Sequence, residues 1–275
     1  MLIHRVITAV IGIVIAIYVV NYGQWVFAAA ALVLTMLAWH EFAAMARCRQ
    51  IETAYWFGLA GVALIWGTVW LGNARETVAV LLLISFLVMA RMVFVPDRFS
   101  LEQAAVTIAG VVYIGLAFAH LVLLRFTDQS LVMATKFGPL SAGAVYLWLA
   151  FVGTWSADTF AFFVGKNFGR RKLAPKVSPG KTWEGTIGGV AGSVIGVTAM
   201  GAACALPLGH SAAIGLLVGV VAPVGDLVES SMKRFCGVKD SGKLLPGHGG
   251  VLDRFDSVMF AAPAVYYYVQ LFLAH

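Results

Sequence analysis

Nine separate stretches of this 275-residue chain are apolar over about 17 to 25 residues, the length a helix needs to cross hydrocarbon. They fall near 5–21, 24–40, 54–73, 77–96, 104–126, 143–165, 186–207, 211–234 and 251–274. No other feature restricts the fold as much, because a backbone inside a bilayer must satisfy every N–H and C=O internally, and a helix does so. Composition agrees, with 61% hydrophobic and 12% charged residues and a mean hydropathy of +0.89, well above that of water-soluble domains. The expected fold is all-α: a polytopic membrane protein of about nine transmembrane helices.

Arg5 followed by an apolar run is how a secretory signal begins, but Tyr18-Val19-Val20-Asn21 offers no small-residue cleavage site. The first segment therefore reads as a permanent span. With the amino terminus cytoplasmic, 16 of the 19 Lys and Arg collect on the cytoplasmic side, leaving only Arg75, Arg125 and Lys136 outside. That is the asymmetry that orients membrane proteins. Eight or ten spans would put one of the two richly basic loops on the wrong side. The expectation is a multi-pass protein of the cell inner membrane whose working face is cytoplasmic.

Cys48, Cys204 and Cys236 lie far apart with no C-x-x-C spacing, so neither a disulfide framework nor a zinc site is suggested. The net charge of +6 does not argue for nucleic acid, since it is concentrated in loops flanking the spans, where anionic headgroups attract it.

The two halves differ in character. Residues 1–140 read as scaffold, with few intramembrane charges; Glu41, beside His40, sits at a span end and reads as interfacial. Residues 141–275 read as the catalytic half, with cytoplasmic loops 166–185 and 235–250. There ionisable residues enter the spans, where a central Asp costs about 2.5 to 3.5 kcal/mol and so needs a partner. Asp158 lies deep in the sixth span, neutralised by protonation, by Ser156 and Thr159, or by a site. Asp226 follows Pro223 and Gly225, which are expected to loosen the helix and free carbonyls beside the carboxylate. Steps of four and three place Ser230 and Lys233 on the face of Asp226.

Asp253 and Asp256 open the ninth span one turn apart. Helix-dipole compensation explains one acidic residue there but explains less well two that follow Gly249-Gly250 and flank Arg254. Three carboxylates converging repel one another unless a cation sits among them, and hard oxygen ligands with positions left for phosphate select Mg²⁺. Asp226, Asp253 and Asp256 are therefore the expected metal ligands.

Basic residues precede them: Lys233, Arg234, Lys239 and Lys243, with His248 inside a glycine cluster. His248 could be a metal ligand, an acid or a phosphate donor, and the last is preferred. Lys243 fits lipid contact equally well. In the other loop Gly180-Lys181-Thr182 looks like the end of a P-loop, but Pro175 stands where its first glycine belongs. What survives is a bent turn offering Ser178, Lys181 and Thr182 to an anion ahead of a helix N-terminus. Arg170, Arg171 and Lys172 read as lipid-phosphate contacts. Glycines at 185, 188, 189, 192 and 196 recur at four-residue steps, marking close helix packing, within the bundle or at a dimer seam.

The run Ser230-x-Met232-Lys233-Arg234-x4-Lys239-Asp240-x-Gly242-x2-Leu245-Pro246-x-His248-Gly249-Gly250-Val251-x-Asp253-Arg254-Phe255-Asp256 resembles the signature of phosphatidate cytidylyltransferases. Lys176 to Gly185 is similar to a loop of the same family, whereas the first half resembles it only in length and hydropathy. The resemblance implies transfer of a cytidylyl group from CTP to phosphatidic acid among membrane lipids. It implies a second, monovalent cation such as K⁺ beside the Mg²⁺, and the glycine steps fit a homodimer as the expected assembly. Asp226, Asp253, Asp256 and Lys233 would be catalytic. Ser178, Lys181, Thr182, Ser230, Lys239, Asp240, His248, Arg254 and Arg171 would bind substrate, Asp158 and Asp240 supporting from behind. A transporter would need a matching polar pair in the first half, and none is found. The residues that read cytosine, and the role of Glu184, are not legible.

Overall fold

The computed structural model describes residues 2–244 and 249–273. Helices α1 (Leu2–Tyr22), α2 (Gln24–Cys48), α3 (Tyr55–Trp70) and α4 (Thr77–Phe94) come first. A fifth helical stretch follows, made of α5 (Leu101–Gly110), a π-helical stretch (Val111–Leu116) and α6 (Ala117–Phe126). Then come α7 (Ala142–Phe168), α8 (Trp183–Ala203), α9 (Leu208–Phe235) and α10 (Leu252–Phe272). Each expected apolar segment lies on one of these helical stretches. Among the described residues six are long and apolar enough to cross a membrane: Gln24–Cys48, Ala74–Phe94, Leu101–Phe126, Ala142–Phe168, Trp183–Ala203 and Leu208–Phe235. The chain is thus a helical membrane protein with several apolar helices.

The helices are not the whole fold. Two antiparallel hairpins interrupt them, β1 (Val132–Thr135) with β2 (Gly138–Ser141) and β3 (Lys172–Ala174) with β4 (Ser178–Thr182). The second corrects the expected irregular turn over 166–185. Lys172 pairs with Thr182 and Ala174 with Ser178, so backbone ladder bonds stiffen the strand carrying Ser178, Lys181 and Thr182.

The chain divides into two compact units, Met1–Val122 with Met232–Arg254, and Leu123–Ser231 with Phe255–His275. The basic stretch after α9 groups with the first helices. In the first unit Trp39 is fully buried and its indole Nε1 donates to the Tyr55 carbonyl at 3.0 Å. Its ring occupies the space beside Gly58 and Gly110. A side chain at either glycine would collide with it, which is why α3 and α5 come so close to α2.

In the second unit the glycine steps of α8 are a packing seam against α7. A Cβ at Gly189 would lie 2.9 Å from the Ala157 carbonyl oxygen, one at Gly188 would meet Val164, and one at Gly192 would meet Phe160. The seam therefore lies within the unit, and α7, buried almost continuously from Ala142 to Ala150, forms its core.

This seam makes a signed prediction. Gly189→Ala has no room to relax and should lower stability by about 1–3 kcal/mol. Gly67→Ala, where a Cβ meets nothing within 4 Å, should raise it by about 0.5–1 kcal/mol through helix propensity. Thermal unfolding midpoints in detergent should move in opposite directions.

Candidate active site

In the second unit the basic residue of β4 meets the acidic residue of α9. Lys181 Nζ lies 2.7 Å from Asp226 Oδ2 and 3.5 Å from the Pro223 carbonyl. On the other carboxylate oxygen, Ser230 Oγ donates to Asp226 Oδ1 at 3.1 Å, as the four-residue step anticipates. The pair remains reachable, with side-chain exposures of 24% and 29%.

Helix α9 continues through Pro223, which has no N–H to give the carbonyl four residues back, and the Pro223 carbonyl itself accepts from Lys181. Gly225 has a different task. A Cβ there would strike the carbonyl oxygen of Asp256 and lie 2.9 Å from the Phe260 ring. Only glycine lets α9 and α10 approach at that point, which sets Asp226 beside the turn of α10 carrying Asp256.

The Lys181–Asp226 pair opens on a cavity of about 510 Å³. Its lining is mixed, with Asp158, Lys166, Ser178 and Thr182 as polar groups and Ala157, Ala161, Phe162 and Pro223 as apolar walls. Asp158 is thus a carboxylate that lines the cavity. Thr182 is the N-cap of α8, its Oγ1 accepting from Gly185 N at 3.1 Å.

The first unit contains the second cluster. Asp253 Oδ1 accepts from Lys233 Nζ at 2.6 Å. Its Oδ2 accepts from Gly250 N at 2.8 Å, Ser241 N at 2.8 Å and Ser241 Oγ at 2.8 Å. Four donors suit an ionised carboxylate, since a protonated one would point its own hydrogen at another. Oδ2 takes three donors, whereas Oδ1 faces the Lys233 ammonium.

Among the described residues no group of three His, Cys, Asp or Glu side chains forms a ready metal cage. The donors still suit Mg²⁺, which binds through one or two carboxylates together with water and substrate phosphate rather than through an all-protein shell. Asp226 and Asp256, on helices in backbone contact, fit that description.

Residues 3–272 match the cytidylyltransferase family. The chain belongs to that family. It is 31% identical to a phosphatidate cytidylyltransferase of Bacillus subtilis, with 98% of each chain covered. It is 36% identical to one of Synechocystis, over 98% of this chain and 97% of the relative, and 34% identical to one of Staphylococcus aureus, over 94% and 95%. The likeness therefore includes the first half, where sequence inspection found only length and hydropathy.

In this cytidylyltransferase family member the expected residues are distributed unequally. Lys181, Asp226, Ser230, Ser178 and Thr182 gather in one unit, and Lys233 and Asp253 in the other. Lys239, Asp240 and Arg254 are exposed. Arg171 lies apart with Trp183, Glu184 and Ile187 around a shallow pocket of about 330 Å³. His248 lies outside the described residues.

Three residues were undervalued. Glu184 accepts from the backbone N–H groups of Arg170 and Arg171, at 3.0 and 3.2 Å to Oε2, fixing where the basic loop leaves α7. Ser241 bridges to Asp253. Glu41 is not interfacial but 6% exposed, and it accepts from Val251 N and Leu252 N at 2.8 and 3.0 Å. A carboxylate in the scaffold half was the available signal, but nothing local links it to residues two hundred positions away.

The cap at Thr182 can be tested separately. Thr182→Ala should cost about 1 kcal/mol, whereas Thr182→Ser retains the hydroxyl and most of the stability. Thermal melts of the two variants check this.

Proposed function

We propose that this protein transfers the cytidylyl group of CTP to phosphatidic acid, giving CDP-diacylglycerol and pyrophosphate within phospholipid biosynthesis. The observation carrying the reading is the Lys181–Asp226 pair at a cavity with mixed walls, in a chain alike over nearly its whole length to phosphatidate cytidylyltransferases.

The chemistry needs little covalent help. An oxygen of the lipid phosphate attacks the α-phosphorus of CTP, the new P–O bond forms, and the bond to the β-phosphate oxygen breaks, so pyrophosphate carries away the electron pair. A phosphate monoester is already ionised at neutral pH, so no general base is required. What is required is cancellation of charge between two polyanions and their alignment. Lys181 and Lys233, each docked on a carboxylate, are ammonium groups available to phosphate oxygens, with Lys239 and Arg254 adding charge. Ser178, Thr182 and Ser230 supply hydroxyl donors, and Asp240 and His248 of the signature run are expected to bind substrate.

Mg²⁺ would be held by Asp226 and Asp256, with Asp253 one turn away on α10, and would supply neutralisation of phosphate oxygens; a monovalent cation such as K⁺ would accompany it. Arg171, which lines a shallow pocket with Trp183, would engage lipid headgroups. The reading carries nine spans with a cytoplasmic amino terminus in the cell inner membrane, the catalytic loops on the cytoplasmic face, and a homodimer.

Purified protein given α-labelled CTP and phosphatidic acid should place label in the lipid and release pyrophosphate only when the acceptor is present. Entry of label from the γ-phosphate instead would overturn the reaction. Chelation of divalent ions should abolish turnover and Mg²⁺ should restore it. Asp226→Asn should lower kcat by about 100-fold or more with an unchanged melting midpoint; full activity would remove Asp226 from the site.

A further inference from the structure

Four consecutive backbone N–H groups, those of residues 250–253 at the start of α10, all donate to side chains, three of them to side chains from outside the helix. Gly250 N donates to Asp253 Oδ2 at 2.8 Å, Val251 N to Glu41 Oε1 at 2.8 Å, Leu252 N to Glu41 Oε2 at 3.0 Å, and Asp253 N to Ser241 Oγ at 3.3 Å. Helix starts always leave such donors open, and one nearby Ser or Asp usually suffices. Here a buried glutamate arrives from α2, 210 residues away from Val251.

The surroundings are shaped around that carboxylate. A Cβ at Gly242 would lie 2.6 Å from Glu41 Oε1, and one at Gly250 would collide with Glu41 Oε2. Ser241 Oγ donates toward Glu41 Oε2 at 3.2 Å and Asp253 Oδ2 at 2.8 Å, its single proton shared between the two carboxylates. Glu41 therefore touches both the start of the loop at 241–242 and its end at 250–252. The next residue along is Asp253, which holds Lys233 at 2.6 Å.

We propose that Glu41 is a positioning residue for cytidylyl transfer: its carboxylate clasps the two ends of the loop after α9 and so sets the orientation of the Asp253–Lys233 pair. The inference rests on the reading of that pair as catalytic, and Glu41 itself touches no substrate. A carboxylate is required because both of its oxygens accept. In Glu41→Gln the amide nitrogen would face one of the two N–H groups, donor against donor, and one end of the clasp would open. Displacing a reacting group by about 1 Å is enough to lower turnover about 100-fold.

The test separates positioning from mere folding. Glu41→Gln should lower kcat by about 10- to 100-fold, with KM for CTP and for phosphatidic acid within about threefold of wild type. Hydrogen exchange at the Val251 and Leu252 amides should quicken while the rest of α10 is unchanged. Ser241→Ala, a milder change, should show a smaller kcat loss with the same KM pattern, and the double variant should be non-additive because both act through Asp253. Wild-type kcat per folded molecule despite faster exchange would make Glu41 a simple helix cap and overturn the proposal. A rise in KM alone would make it a substrate contact, with the same result. If Glu41→Gln does not fold, Ser241→Ala decides: unchanged kcat overturns the clasp, and a fall in kcat at constant KM sustains it. Failure of the wild-type protein to transfer cytidylyl would instead defeat the assigned reaction and leave the exchange result standing.

Discussion

A carboxylate in a chain this apolar must be met by donors or cations before it can do anything else, and that requirement organises both polar clusters. Asp226 is met by Lys181 and Ser230, Asp253 by Lys233, Ser241 and the Gly250 amide, and Glu41 by two amides at the start of α10. In each lysine pair one carboxylate oxygen faces an ammonium rather than fixed backbone. The pairing is therefore strong enough to keep the charge among helices and loose enough to be exchanged for a phosphate–cation pair of the same total charge.

The glycines make those contacts possible at the backbone level. Apolar side chains gain little by meeting each other when lipid is the alternative, so helices associate where backbones can approach closely. Gly189 and its neighbours bring α8 onto α7, and Gly225 brings α9 onto α10 at Asp256. The walls of the cavity follow, since Ala157, Ala161 and Gly185 line it from the faces that this seam aligns. Glycine at 242 and 250 plays another part, leaving volume for the Glu41 carboxylate instead of for a helix.

Two polyanions must come within bonding distance for cytidylyl transfer, and in the proposed site Lys181 with the hydroxyls of Ser178 and Ser230 would meet that need without an acid–base pair. The cavity with mixed walls suits reactants that are part phosphate and part apolar. Arg171, Trp183 and Glu184 form a separate, shallower surface, which fits engagement of headgroups and not the chemical step.

Much of this was legible along the chain. Helical segments were readable from apolar length, because hydrocarbon thickness imposes it locally, and Ser230 on Asp226 followed from helical period alone. The signature run named the acidic and basic residues, since charges are rare enough here to stand out. The hairpin of β3 and β4 was not readable, because its short strands carry lysine, proline and glycine rather than alternating apolar residues. That Gly225 is also a contact surface for α10 was not readable, because it depends on what lies opposite. Glu41 was read as interfacial because its partners are amides some two hundred residues away, and backbone N–H groups carry no sequence label. The sequence by itself determined a helical membrane protein and the chemical types at its site, since both follow from local periodicity and from the cost of charge in lipid. Only the tertiary structure decided which donor meets which carboxylate, because those pairings depend on helices far apart in the chain meeting in space.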